Sequence, residues 1–431
     1  MHNISSRWVA VILTVSLLML TSCAHYKHTQ RYELDFFQRV QTQSIGDVEV
    51  SVAVLSDEES AELFGAFVAE TGVQPVWIRI RNNDSVPYSL YPVGLDPEYY
   101  SPHEAAWKNH FSFAGYSNVK MNSNFRYHGI YTYIPPDETV SGFIYTRLHE
   151  GIKAVAIDLK NPGDEGKSFF FMTPIPGFRG DSEALFNYAG LYPDDEIVHI
   201  ETLEELRSWI ENLPNSVFGK DGVSSADPLN LVMIGNTKDL GTAFVQRGWE
   251  LAESAHFGAI WKMIKSSLFG SNYRYSPMSA LFMYDRKQDV SLQKARSTVD
   301  ERNHLRLWYA PTRFKGMPVM VGQISRDIGV RLTGKLSPPT THVIDPEVDE
   351  ARWYLEQDLT LSQRVAQVGL ARGVGRAEEK QPKHNLLGDP YFTDGYRLVV
   401  IFTETPTSFS QIDYLGWEIP EDIRFLLPGD E

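Results

Sequence analysis

Pro228-Leu229-Asn230-Leu231-Val232-Met233-Ile234-Gly235 is where the chain changes character. Leu229 to Ile234 is a nearly continuous apolar run closed by glycine, the pattern of a strand covered on both faces rather than of a half-exposed one. Gly235-Asn236-Thr237 then leads into an expected helix reaching about Arg247. A strand over Trp249 to Leu251 and a helix around Phe257 to Leu268 follow. Further strands fall near Ala280 to Tyr284, Leu305 to Tyr309 and Val319 to Ile324. A long helix is expected from Asp345-Pro346 towards Arg372, and a last strand over Tyr396 to Phe402. Such alternation of strands and helices is that of an α/β domain with a mixed sheet.

Upstream of that run the period is two. Val48, Val50, Val52 and Val54 alternate with other residues, and Val76, Ile78 and Ile80 alternate with Trp77, Arg79 and Arg81. Further strands read over Ile130 to Ile134, Val140 to Leu148, Val155 to Leu159 and Phe169 to Met172. Asn82-Asn83-Asp84 and Pro135-Pro136-Asp137 supply turns between them. The pattern predicts an antiparallel, immunoglobulin-like β-sandwich. Ser56 with Glu59, and Ser101-Pro102 with Glu104, are start signals for two short inserted helices. The expected fold class is therefore α+β and multidomain. The expected segments are a leader over 1–22, a tether over 23–44, the sandwich over 45–178, a connector over 179–223 with one helix capped by Thr202 and Glu205, the α/β domain over 224–405 and a tail over 406–431.

The first residues have the form of an export signal. Arg7 precedes an apolar stretch from Val9 to Leu20. Twelve helical residues span roughly 18 Å, well short of a bilayer core of about 30 Å. Leu20-Thr21-Ser22-Cys23 follows and resembles a bacterial lipobox. Cys23 is the only cysteine of the 431 residues. By that resemblance the mature protein begins at Cys23, carries acyl chains on its sulfur, and is anchored stably by two or more of them. Ala24 in second place implies the outer membrane by the sorting rule of such lipoproteins. The domains would then lie in the periplasm.

The chain has 40 basic and 55 acidic residues, for a net charge of −15, or −16 once Arg7 leaves with the leader. That balance argues against nucleic acid as a partner, because phosphate neutralisation needs basic patches. One cysteine excludes an internal disulfide. No cofactor is implied, since phosphate-loop, H-E-x-x-H, G-x-S-x-G and paired C-x-x-C motifs are all lacking. Gly373-Val374-Gly375 lacks the third glycine of a dinucleotide loop. Gly180-Asp181-Ser182 is followed by Glu183 and is no complete lipase-like motif.

His304, Arg306 and Trp308 alternate along one strand and so share a face. A histidine and an arginine in an apolar strand require partners, and Asp327, Asp345 and Asp349 are candidates. Asp345, Asp349 and Arg352 form one stripe if the helix begins at Asp345, with His342 three residues earlier. If that strand face meets the helix start, these groups converge. His would then act as general base, or His and Asp would hold a metal, or an anion would lie between Arg306 and the helix N-terminus. The alternatives are a plain N-cap at Asp345, an ordinary ion pair of Asp349 with Arg352, and a buried polar network.

The C-terminal half resembles the LssY C-terminal domain family. The resemblance rests on Pro228 to Val232 with Gly235, on Gly248-Trp249, and on Tyr275-Ser276-Pro277-Met278-Ser279. It rests further on His304-Leu305-Arg306-Leu307-Trp308, on Gly322 with Ser325 and Asp327, and on Thr341-His342-Val343-Ile344-Asp345-Pro346 with Asp349 and Arg352. It covers roughly Ser224 to Thr405. Related domains are fused behind membrane segments resembling DedA and lipid-phosphatase proteins, which implies an association with envelope lipid or glycan metabolism. This chain has no such membrane segments, so the fused partners' chemistry does not transfer. The reading that follows is an anchored binding or scaffolding protein, with an envelope lipid, glycan or protein as partner. The alternative is a hydrolase acting on an envelope lipid, phosphate ester or glycan through His304, Asp327, His342 and Asp345. Tyr88, Tyr91, Tyr99, Tyr100, Trp107, Phe111, Tyr116, Tyr127, Tyr131 and Tyr133 crowd one segment. They are expected chiefly as core, and otherwise as a platform for glycan or peptide.

Overall fold

A computed structural model of the chain describes residues 35–112, 115–149, 152–161, 163, 166–175, 190–251, 280–295, 301–332 and 340–419, with the side chains of 330–332 and 340–342 left aside. Cys23, the expected helix over 257–268, the 275–279 string and Gly180 to Ser182 lie outside these residues. Two compact units are present. The first comprises Met1–His149, Asp158–Lys167 and Ile175–Gly177, and the second Glu150–Ile157, Ser168–Pro174 and Phe178–Glu431.

In the first unit, β1 (Gln41–Ile45), β2 (Val48–Val54), β3 (Val73–Asn82) and β6 (Glu138–Arg147) form an antiparallel sheet in that order. Here β5 (Tyr133–Ile134) pairs with β4 (Tyr88–Leu90), and the strands β7 (Ile152–Lys160) and β8 (Gly166–Pro174) divide, Asp158–Lys160 and Gly166–Lys167 falling in the first unit and Ile152–Ile157 and Ser168–Pro174 in the second. Ser89 pairs with Lys160 near the tip of the β7–β8 hairpin. The expected antiparallel N-terminal sheets are thus present. Trp77 lies opposite both Ala53 and Phe143. These three, with Phe36, Leu63, Phe64 and Tyr145, build an aromatic core under helices α1 (Asp57–Phe64), α3 (Pro102–Lys108) and α4 (Gly115–His128). Both expected capping boxes close, at Ser56 with Glu59 and at Ser101 with Glu104. α2 (Pro92–Leu95) is a single turn. The sequence does not announce α4, because Gly-Tyr-Ser-Asn-Val-Lys carries no apolar period. Tertiary contacts hold it instead. Met121 and Phe125 are buried, Asn124 donates to the Leu63 carbonyl at 2.9 Å, and the Tyr145 hydroxyl donates to the Phe125 carbonyl at 2.7 Å.

The aromatic segment departs from its expected place in the core. Tyr88 is buried, and Tyr100 and Phe111 pack at the core's margin. Tyr91, Tyr99, Trp107, Tyr116, Tyr127, Tyr131 and Tyr133 are exposed, with Tyr127 at 81% and Tyr131 at 80%. The core is already filled by phenylalanines from α1, α4 and β6, so these rings have nowhere to go but solvent.

The second unit is built on a mixed sheet of ten strands in the order β13-β16-β17-β18-β12-β23-β20-β24, with β19 beside β18 and β9 beside β17. The strands are β9 (Val198–Ile200), β12 (Leu231–Ile234), β13 (Glu250–Leu251), β16 (Val290–Ala295), β17 (Arg302–Phe314), β18 (Met317–Leu332), β19 (Thr340–Ile344), β20 (Val365–Arg372), β23 (Tyr396–Phe402) and β24 (Asp413–Tyr414). A small sheet runs β11 (Ser225–Pro228), β10 (Ser216–Phe218), β14 (Phe282–Met283), β15 (Arg286–Lys287). The pair β21 (Lys383–His384) and β22 (Pro390–Tyr391) completes the strands. The decisive run is the sheet's centre. β12 is parallel to β23 and antiparallel to β18, and all four of its side chains are buried.

One face of this sheet, bearing Leu305, Leu307, Tyr309, Met320 and Ile324, is covered by α6 (Thr237–Gln246) and α7 (Val348–Thr360). The other, bearing Trp308, Phe314, Val319 and Val321, is covered by α5 (Leu203–Glu211) and the small sheet. α5 starts at the expected Thr202 and Glu205 capping box. The helix expected from Asp345 to Arg372 is corrected. It spans only Val348–Thr360, after which Gln363 turns at φ 61° and the chain enters β20. Val365 to Leu370 has the β-branched and small residues of a buried strand, and Gly369 lies where a Cβ would meet Leu415 at 2.6 Å. Among the described residues, no helix is long and apolar enough to cross a membrane.

Candidate functional site

The polar residues of β17 and β18 that point to the α5 face form one connected chain. Antiparallel pairing sets His304 opposite Ser325 and Arg306 opposite Gln323, with Gln293 of β16 on the other flank of His304. His304 Nε2 lies 2.8 Å from Asp327 Oδ1, and Arg302 Nε donates to Asp327 Oδ2 at 3.1 Å. Ser325 Oγ is 3.3 Å from the same histidine nitrogen and accepts from Gln323 Nε2 at 2.8 Å. Gln323 Oε1 in turn accepts from Arg306 Nη1 at 2.9 Å. Arg306 faces Asp227 at 3.7 Å, and Asp227 accepts from Asn385 Nδ2 at 3.1 Å. Burial pulls the Arg306 guanidinium below its ordinary range, against the opposing pull of Asp227 and Asp327. Across the run, Arg302, His304, Arg306 and Asp327 are exposed by 5% or less.

Thus the expected partnership of His304 with Asp327 exists, and Arg306 is one link away. The expected convergence fails for Asp349 and Arg352, although the Asp345 N–H donates to the Arg326 carbonyl at 2.8 Å, next to Asp327. Asp349 and Arg352 belong to the helix that covers the opposite face of the sheet. Arg352 is wholly buried there and holds Asp349 at 3.2 Å and Asp394 at 2.8 and 2.6 Å, and also donates to the Tyr396 carbonyl. Asp349 accepts from Thr393 Oγ1 and the Asp394 backbone N–H. Burial raises the Asp349 carboxyl, with Arg352 opposing. The pair is a clamp that fastens α7 to the loop before β23. Asp345 is not the N-cap either. Glu347 holds that position without a side-chain bond, and Asp345 accepts from the Glu347 N–H at 3.1 Å. His342 lies on β19 opposite Val330, whereas His304 lies opposite Ser325. Five residues of β18 put their backbones roughly 16 Å apart. Among the described residues no group of three or more His, Cys, Asp or Glu side chains could hold a metal ion.

Other side chains that mark the C-terminal half have structural work. Asn230 is wholly buried and bonds both the N–H and the carbonyl of Ile324. Gly248 ends α6 at φ 73°, and the Trp249 indole donates to Asp358 at 2.8 Å, where Arg247 and Lys294 also converge. Gly322 passes so close to β17 that a Cβ would meet the Arg306 carbonyl at 2.7 Å.

Residues 211–396 match the family model for the LssY C-terminus. The second unit therefore contains an LssY-like C-terminal domain, and the buried polar chain from Arg302 to Asp327 lies inside the match. No curated protein matches the chain.

An apolar cleft also opens in the second unit, with about 540 Å³ of space, part of it open to solvent. Phe170, Met172, Leu240, Phe244 and Leu292 line it, and its polar feature is the Thr237 hydroxyl 2.8 Å from that of Tyr309. It lies on the α6 face, so the His304 chain does not reach it.

Glu356 on α7 gives a pH test of this packing. Burial raises its carboxyl above the ordinary 4.5, with Arg352 opposing. The folded state then holds a proton that the unfolded state has released, so stability falls as pH rises above about 4.5. Glu356→Gln should melt above the parent at pH 7, and the two should converge near pH 4. A thermal melt of both proteins across that range checks this, and equal melting at pH 7 would contradict it.

Proposed function

We propose that the protein is a binding component of the cell envelope, anchored through acyl chains on Cys23, whose first unit presents an aromatic platform to an envelope glycan. The observation that carries this is the exposure of Trp107 at 66%, Tyr116 at 74%, Tyr127 at 81%, Tyr131 at 80% and Tyr133 at 58%. Large rings left in water mark recognition surfaces, since they offer contact area with little rotamer entropy to lose. Tyr116 and Tyr127 are eleven residues apart on α4, three turns, so they stand on one stripe about 16 Å apart. Lys120 lies between them and sits 4.6 Å from the Tyr116 ring centroid. Flat rings with a cation among them suit sugar faces and ring oxygens. The net charge of −15 favours a neutral partner over a polyanion.

The Leu20 to Cys23 string and Ala24 support the anchor and an outer-membrane address. The variant Trp107→Ala/Tyr116→Ala/Tyr127→Ala should keep its melting temperature, because these side chains lie outside the core. Its co-sedimentation with purified peptidoglycan should drop by roughly tenfold, about 1.4 kcal/mol. Unchanged sedimentation would remove this reading.

A hydrolase acting on an envelope lipid or phosphate ester is the second reading. The His304–Asp327 dyad favours it, as a carboxylate-oriented imidazole is the usual form of a general base.

A further inference from the structure

Among the described residues, two buried polar atoms at that dyad have no hydrogen-bond partner: Gln293 Nε2 and His304 Nδ1. They belong to residues directly opposite each other on β16 and β17, exposed by 1% and 5%. Their chemistry is fixed by their neighbours. Gln293 Oε1 accepts from Arg302 Nη1, so the other end of the amide is the NH₂ donor. Asp327 Oδ1 at 2.8 Å from His304 Nε2 can only accept, so in the neutral ring Nε2 carries the proton and Nδ1 presents a lone pair. The opposite tautomer would set a lone pair against a carboxylate. One orphan is therefore a donor and its neighbour an acceptor. Leaving both unmet costs about 1–3 kcal/mol each.

We infer that a single buried water molecule bridges Gln293 and His304, accepting from Gln293 Nε2 and donating to His304 Nδ1. A hydroxyl is the simplest group that both accepts and donates. At exposures of 1% and 5% the two residues are out of reach of the hydroxyl of a sugar or lipid. The site makes Asp327, His304 and the water a carboxylate–imidazole–water line, with the water's proton directed at the imidazole. It does not depend on the glycan reading. It bears on the hydrolase reading only by supplying a candidate nucleophile.

The test is a crystal structure of the full chain at a resolution that shows ordered solvent, with ¹⁵N NMR of the His304 ring. One solvent oxygen is expected within about 3.2 Å of both atoms, and Nε2 is expected to carry the proton. Gln293→Leu should shift the Nδ1 resonance towards that of an unbonded acceptor. Gln293→Met serves if the leucine variant fails to fold. An empty gap, a protein group in it, or a proton on Nδ1 would overturn the inference. Hydrolysis of p-nitrophenyl phosphate and p-nitrophenyl acetate separates the two ideas. Water without hydrolysis leaves the inference standing and removes the hydrolase, whereas hydrolysis with an empty gap overturns the inference alone.

Discussion

Asp327→Ala is expected to destabilise the second unit by about 3–5 kcal/mol, a large part of the roughly 5–15 kcal/mol that holds a domain folded. Asp327 is 2% exposed and faces Arg302, also 2% exposed, through one oxygen and His304 through the other. Removing it leaves a guanidinium in the interior opposite no carboxylate at that position. The cost is that of a buried charge losing its Asp327 counter-ion rather than of one lost hydrogen bond. Asp327→Asn should cost less, since the shape survives, but its NH₂ must face one of two donors. Asp345→Ala should stay within about 1 kcal/mol, as Asp345 accepts only the Glu347 N–H among the contacts of its side chain. Urea unfolding followed by tryptophan fluorescence reads the series. A loss below about 1 kcal/mol for Asp327→Ala would show that the polar chain is not what ties β16, β17 and β18 together.

The sequence shows why part of this arrangement could be read in advance. Period two puts His304 and Arg306 on one face, and the cost of burying them demands partners. Asp327 is reached because β17 and β18 are joined by a tight turn at Lys315-Gly316, both at positive φ, so the register brings it alongside. The three capping boxes were legible for the same reason, each lying within four residues. What period two cannot say is which layer covers the face. Asp349 and Arg352 look like partners of β17 from spacing alone, yet α7 packs on the other side, and Arg352 finds Asp394 42 residues away. Gln293 and Arg302 carry no such signal, because Gln293 stands in a strand with other polar residues, Ser291 and Lys294, and Arg302 opens β17, where polar residues are ordinary. The helix expected through Arg372 ends at Thr360, before Leu361-Ser362-Gln363, a turn that no glycine or proline signals. The exposed tyrosines misled because aromatic content suggests a core until one finds the core already full.

Arg397→Met is expected to be at least as damaging, with a loss of about 4 kcal/mol or more, though no carboxylate among the described residues pairs with it. Arg397 is wholly buried at the second position of β23, and among the described residues its guanidinium is satisfied by backbone carbonyls. Nε donates to Leu229 at 2.8 Å, Nη1 to Ile210, and Nη2 to Leu213, Pro214 and Gly373. Ile210, Leu213 and Pro214 end α5, so the cation sits at the negative end of a helix dipole. Leu229 leads into β12, and Gly373 leaves β20 at φ 135°, where a Cβ would overlap the guanidinium. One side chain thus joins four segments on the α5 face of the sheet. Burial draws its pKa down to about 10, which still leaves it charged at neutral pH. Methionine fills a similar volume but leaves these carbonyls without a donor, each at about 1–3 kcal/mol unless water enters. Arg397→Lys keeps the charge but offers a point donor in place of a fork and should recover only part of the loss. Gly373→Ala should approach the methionine variant, because it displaces the guanidinium and strains the backbone together. Near-UV circular dichroism and denaturant midpoints of the three proteins decide the matter. If Arg397→Met keeps the parent's midpoint, the carbonyl cluster is solvated by water and the guanidinium is not the tie that holds α5 to the sheet.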